Sequence, residues 1–157
     1  MGLPYDYNRG PELAKDFETA KEGLNCVALI HIVYREVFGV SLAPSLRAIE
    51  LYFQNDFFES PDLSSKKQVG DIAFWARDNV EEVLTEYRPA FDVNGNLIGK
   101  CPFHLAMYIG ENKKDEALFV HANFIDKNVG IWTEKRIRSY IRYSTLLALK
   151  RCKLLTK

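Results

Sequence analysis

The stretch that most constrains this chain is Leu24 to Gly39, Leu-Asn-Cys-Val-Ala-Leu-Ile-His-Ile-Val-Tyr-Arg-Glu-Val-Phe-Gly, which reads as a helix apolar around nearly its whole circumference. Such a helix must be covered on most sides, so the remaining chain has to supply the layer that buries it. At about 100° per residue, Cys26 shares a face with Ile30, Val33 and Val37, while His31 and Arg35 form a polar stripe opposite. The thiol is therefore expected to point inward and His31 to face solvent. Asn25 suits an N-cap and Gly39 the left-handed residue that ends a helix. The positive end of the helix dipole should depress the pKa of a cysteine in the first turn.

Composition narrows the class. With 157 residues, 47% of them hydrophobic and 13% aromatic, the chain can bury one sizeable core, and a single domain over 1–157 is expected. A formal net charge of zero argues against bulk attraction to nucleic acid or a membrane surface. The charge is unevenly placed, however: Lys135 to Lys157 holds eight basic residues and no acidic one, leaving minus eight on the first 134. Solvated surface is the expected role of that end, with an anion-binding patch as the alternative. Three cysteines without a Cys-x-x-Cys pair favour reduced thiols over a disulfide framework, and three cysteines with three histidines lack metal-ligand spacing, so no metal or cofactor is expected.

No segment approaches the roughly twenty apolar residues of a membrane span. The start, Met-Gly-Leu-Pro-Tyr-Asp, carries neither a signal-peptide pattern nor the Ser or Thr at position six that myristoylation prefers. A cytoplasmic location, or export by a signal-independent route, is the corresponding expectation. Nothing in the sequence specifies an oligomeric state.

Taken in order, Glu12 to Glu22 predicts a short charged helix, Asn25 to Phe38 the buried helix, and Leu42 to Phe58 a second amphipathic helix with Pro44 near its start. After a polar loop the period changes to that of strands, beginning with Gly-Asp-Ile-Ala-Phe-Trp at 70–75. Residues 76–100 read as an inserted segment, a brief helical piece followed by a hairpin, Phe91 to Ile98, turning at Asn94-Gly95. Residues 103–110 and 117–123 are two clear strands joined by a charged turn; Val129 to Trp132 is a third, Thr133 caps a short basic helix, and Tyr143 to Leu155 is a last strand. Helices first and antiparallel strands after them indicate an α+β fold.

If the strands 103–110 and 117–123 pair about Asn112-Lys113, His104 lies opposite His121 on one sheet face with Ala106, Tyr108 and Phe119, and Leu105, Met107, Leu118 and Val120 take the other. The small Ala106 would let the cysteine helix pack against the histidine face. Cys26, His104 and His121 would then provide a nucleophile, its base and a residue orienting that base. A register two residues longer would bring Asn123 level with His104 instead, on the same face; the opposed pairing is favoured because its turn is more symmetric. Cys101, beside Pro102 and on the opposite side of the extended chain from His104, is a poor nucleophile for that base, and Cys152 reads as structural.

A cysteine opening an apolar helix, then Gly-Asp-Ile-Ala-Phe-Trp at 70–75, His-Leu-Ala-Met-Tyr-Ile-Gly at 104–110 and Phe-Val-His-Ala at 119–122, resembles in order and wording the NlpC/P-sixty family of cysteine peptidases. The resemblance runs from about Tyr5 to the last strand. It implies a papain-like α+β fold, with the central N-terminal helix packed on an antiparallel sheet, and hydrolysis of amide bonds in peptidoglycan stem peptides, typically between D-glutamate and a diamino acid. It makes Cys26 the nucleophile, His104 the base, His121 the third polar residue, and Tyr5 or Tyr7 a partner of the Cys26 N–H in holding the oxyanion. The chain departs from the family's usual Asp-Cys-Ser-Gly, having Asn25-Cys26-Val27-Ala28, and its Trp75-to-His104 segment is long. The related lecithin:retinol acyltransferase branch has a similar Asn-Cys step but places its histidine before the cysteine. Here the histidine follows, as in the unpermuted hydrolases. The expected partner is thus a peptide or amide substrate, of the cell-wall type that the resemblance implies; the alternatives are a papain-fold binding domain without turnover and a secreted antibacterial amidase effector.

Overall fold

A computed structural model describes residues 2–76, 90–91, 97–98, 104–140 and 143–155. The buried helix forms as its ends dictate. In α1 (Cys26–Phe38), the Asn25 side chain accepts the Ala28 N–H, and Gly39 closes the helix at φ 70°, its N–H returning to the Arg35 and Tyr34 carbonyls.

Two other helical expectations shrink. Glu12–Glu22 yields only a 3-10 turn, Thr19–Glu22. There the Asp16 carboxylate takes the Thr19 N–H and hydroxyl, a local bond that competes with helix propagation. Leu42–Phe58 yields α2, Ala48–Phe53, only. Gln54 turns extended, its side chain takes the N–H groups of Asp56 and Phe57, and Phe58 enters a strand.

The strands are β1 (Phe58–Glu59), β2 (Ile72–Ala76), β3 (Ala90–Phe91), β4 (Leu97–Ile98), β5 (His104–Glu111), β6 (Ala117–Asn123), β7 (Asn128–Thr133) and β8 (Thr145–Cys152). Six of them form one antiparallel sheet in the order β1-β8-β2-β5-β6-β7. This is an α+β architecture. The expected hairpin is present as the separate pair β3-β4, Ala90 opposite Ile98 and Phe91 opposite Leu97. Its Asn94-Gly95 turn and the helical piece before it lie outside the described residues, as does Cys101. A short helix, α3 (Glu134–Arg138), follows β7, capped by Thr133 as expected.

Side-chain alternation sorts the sheet into two faces. On one, α1 sets Val27, Ile30 and Tyr34 against Ile72, Phe74, Leu105 and Met107, and Ala28, Leu29 and Ile32 against Val120, Ala122 and Val129. On the other, Ala73, Trp75, Ala106, Tyr108, Phe119 and Trp132 pack with Ile137 of α3 and with Tyr143, Leu146 and Leu149. The expectation that α1 covers the histidine face is therefore corrected. The helix takes the odd-numbered residues of β5, which are large and apolar; the even-numbered face packs, among the described residues, against tryptophans and α3.

Two expectations for α1 itself also change. His31 is buried, not solvent-facing, because the chain after Gly39 folds back and puts the Leu46 carbonyl 2.6 Å from His31 Nε2. Val37 is exposed: a helical wheel gives a direction but not whether anything is packed there at that turn.

Part of the basic end is taken up by the fold, while Lys135, Arg136, Arg138 and Lys153 are exposed, as solvated surface requires. Lys150, 3% exposed, bonds the Gln54 carbonyl and Asn55, and Arg151 grips the buried Asp71 through two bonds of 2.8 Å. Arg136 stacks on Trp132 with its guanidinium carbon 3.9 Å from the ring centre. Among the described residues no helix is long and apolar enough to cross a membrane.

Candidate active site

His104 and His121 occupy the even and odd positions that share the tryptophan-lined face, His104 as the first residue of β5. Their rings are hydrogen-bonded, His104 Nε2 to His121 Nδ1 at 2.7 Å. The pairing register is the longer one. Met107 lies opposite Val120 and Tyr108 opposite Phe119, and a bulge at Ile109 leads to Gly110 opposite Leu118. Continued back along β5, this ladder sets Asn123, not His121, level with His104. The five-residue loop 112–116 makes the shift: the Asn112 N–H returns to the Glu116 carbonyl, and Asp115 adopts φ 60°. His121 still meets His104, but diagonally, through a bond to Nε2 that leaves Nδ1 of His104 to other partners.

The pair is held tightly. His104 stacks on Tyr143 with ring centres 4.2 Å apart and planes 25° apart, and His121 meets the Trp132 ring edge-on at 4.6 Å. Trp132 donates to Asp126, which also pairs with Arg136. Burial pushes the His104 pKa well below the usual imidazole value, and the neighbouring His121 adds to the shift. His121, fully buried, is pushed down to about 4 by desolvation, with the Asp126 and Arg136 charges acting in opposite senses. Both rings are neutral near pH 7.

Cys26 stands at the N-terminus of α1, a free thiol in a half-buried residue. Its sulfur faces the backbone N–H of Leu105, the residue following His104, so helix start and strand start converge there. Desolvation nevertheless raises the thiol pKa, outweighing the opposing pull of the Leu105, Val27 and Cys26 N–H groups. The expected depression by the helix terminus is thus corrected, since an apolar wall removes more solvation than the dipole returns. Among the described residues the thiol makes no hydrogen bond to His104. The structure therefore joins the two histidines and brings the thiol to the same strand end.

The tyrosines separate. Tyr5 pairs in a β-bridge with Leu24 and packs against the Ala28–Leu29 side of α1. Tyr7 is 56% exposed, and its carbonyl accepts from Asn25, fastening the cap residue. Cys152 is buried at the end of β8, as its structural reading requires.

Sequence reasoning missed Tyr143 as the platform under His104; Asn123, weighed there as the alternative orienting residue, stands beside His121. Asn123 opens the turn 123–128, its Oδ1 taking the Asp126 N–H at 2.8 Å, which Asn-to-Asp spacing at a strand end could have signalled. Among the described residues no group of three or more His, Cys, Asp or Glu is arranged to hold a metal. Comparison with family models, with curated proteins and with solved structures finds no match for this chain.

Proposed function

We propose that the protein is a cysteine hydrolase of papain-like, NlpC/P-sixty type, an amidase or endopeptidase using Cys26, His104 and His121. The observation that carries this reading is the 2.7 Å His104–His121 bond, set at the start of the strand whose Leu105 N–H faces the Cys26 sulfur. In the reaction the Cys26 sulfur bonds to the amide carbonyl carbon as its proton passes to His104. Collapse of the tetrahedral intermediate breaks the C–N bond, and His104 delivers that proton to the leaving amine. A water deprotonated by His104 then cleaves the thioester, releasing the acid and restoring the thiol. The Cys26 N–H, in the first turn and without an intrahelical partner, supplies one oxyanion donor, and Tyr5 or Tyr7 the other. The site's neutral rings and raised thiol pKa favour attack by a thiol that loses its proton only as substrate arrives.

The test is amine release from a panel of D-glutamyl–diamino acid stem peptides, with Cys26→Ala as control. Release by the wild type and none by the variant is expected. Equal release by both, or preferential iodoacetamide labelling of Cys101 or Cys152 over Cys26 near neutral pH, overturns the assignment. A second reading, a papain-fold binding domain without turnover, is favoured by the missing thiol–imidazole bond. It predicts peptide binding that survives Cys26→Ala with no amine released by either protein.

A further inference from the structure

The histidine pair has a third member whose orientation is not free. Asn123, fully buried, has its amide direction set by two backbone groups: Oδ1 accepts the Asp126 N–H at 2.8 Å, and Nδ2 donates to the Asn128 carbonyl at 3.3 Å. A flipped amide would set oxygen against carbonyl and NH2 against N–H. The group Asn123 presents to His121 Nε2, at 3.5 Å, is therefore the NH2. An imidazole nitrogen facing a donor must keep its lone pair, so the proton of neutral His121 sits on Nδ1. That nitrogen is the one 2.7 Å from His104 Nε2. His104 Nε2 is then the acceptor, and the proton of neutral His104 sits on its own Nδ1.

We propose that Asn123 is a positioning residue that fixes the tautomers of both histidines, holding His104 at rest as a donor at Nδ1 and not as a base there. The inference rests on the hydrolase reading for its significance, since Nδ1 is the ring nitrogen that His121 leaves open. To take a proton at Nδ1, His104 must first carry its own at Nε2. The rearranged pair holds the same two protons. The proton between the rings passes from His121 Nδ1 to His104 Nε2, the one on His104 Nδ1 is lost to water, and His121 Nε2 takes one up from water. His121 Nε2–H would then confront the Asn123 NH2, donor against donor. Asn123 thus opposes the activated arrangement, in keeping with the neutral rings and with a thiol that, among the described residues, makes no bond to His104. An acceptor in its place would favour activation: Asn123→Asp offers a carboxylate oxygen to His121 Nε2–H.

The tautomers can be read without any substrate. In protein carrying 15N-histidine, long-range 15N–1H correlation at pH 7 should show His121 and His104 both pyrrole-like at Nδ1 and pyridine-like at Nε2. Asn123→Asp should reverse both patterns and speed iodoacetamide labelling of Cys26 on the order of tenfold, the change in thiolate fraction for one pKa unit. A pyridine-like Nδ1 on His121 of the wild type overturns the proposal, and so does an Asp variant with unchanged tautomers. Should that variant not fold, the wild-type spectrum decides alone. The expected spectra without amine release leave this inference standing and sink the hydrolase reading; reversed spectra with turnover do the opposite.

Discussion

Acid should destabilise this protein through its buried imidazoles, and His121 allows the size to be worked out. Its folded pKa of about 4 lies below the unfolded value near 6.5 because the ring, fully buried between Trp132 and His104, can be charged only at the cost of desolvation. As pH falls below 6.5 the unfolded chain binds the proton first, so the folded state loses stability down to about pH 4, below which this contribution is flat. A gap of about 2.5 units at 1.36 kcal/mol per unit gives roughly 3 kcal/mol. His104 and His31, whose pKa values burial also lowers, act in the same direction. The perturbation is His121→Asn, which keeps a polar side chain but no titration. Urea unfolding at half-unit steps from pH 4 to 8 should show the wild type losing about 3 kcal/mol more than the variant across that window. Parallel curves for the two proteins would refute the reasoning, showing that His121 takes up its proton in the folded state as readily as in the unfolded one.

Arg151→Met leaves the Asp71 carboxylate, 1% exposed, without its cation, and should cost about 3 kcal/mol, read as a fall in Tm on the order of 10 °C; the double variant with Asp71→Asn should recover part of it, and a loss below about 1 kcal/mol in the single variant would mean that solvent already screens the pair. Asn25→Ala removes both the cap on α1 and the bond to the Tyr7 carbonyl, and a loss of about 1 kcal/mol by denaturant unfolding is expected. Gly70→Ala should destabilise by about 1–3 kcal/mol, since φ is +99° and the new Cβ would lie 2.8 Å from Leu155 Cδ1; unchanged stability in the same assay would show that the chain relaxes there freely. Tyr143→Ala should leave the fold cooperative yet loosen His104, detected as broadened His104 ring resonances, because the stacked ring is removed from only one side of the imidazole.

Local chemistry made much of this protein legible in its sequence. Asn25 and Gly39 bound α1 because capping and the left-handed region depend on single residue types. Period-two alternation in 104–111 and 117–123 assigned His104, Ala106, Tyr108, Phe119 and His121 to one face because side-chain direction in a strand needs no partner to define it. That His104 and His121 share a face was readable for this reason, whereas their diagonal bond came with the observed register. What sequence could not decide were quantities that exist only between segments. The strand register turned on a five-residue loop and a bulge at Ile109, each worth a small free-energy difference that local pattern does not resolve. The face taken by α1 was set by which side the tryptophans and α3 filled. The charge states followed the same logic, since a helix terminus promises a lowered thiol pKa, but the desolvation that raises it at Cys26 comes from walls assembled from distant parts of the chain. Burial of His31 under the returning Leu46 backbone, and the Asn123 amide aimed by the turn after β6, are likewise products of chain return, which no helical wheel or strand pattern contains.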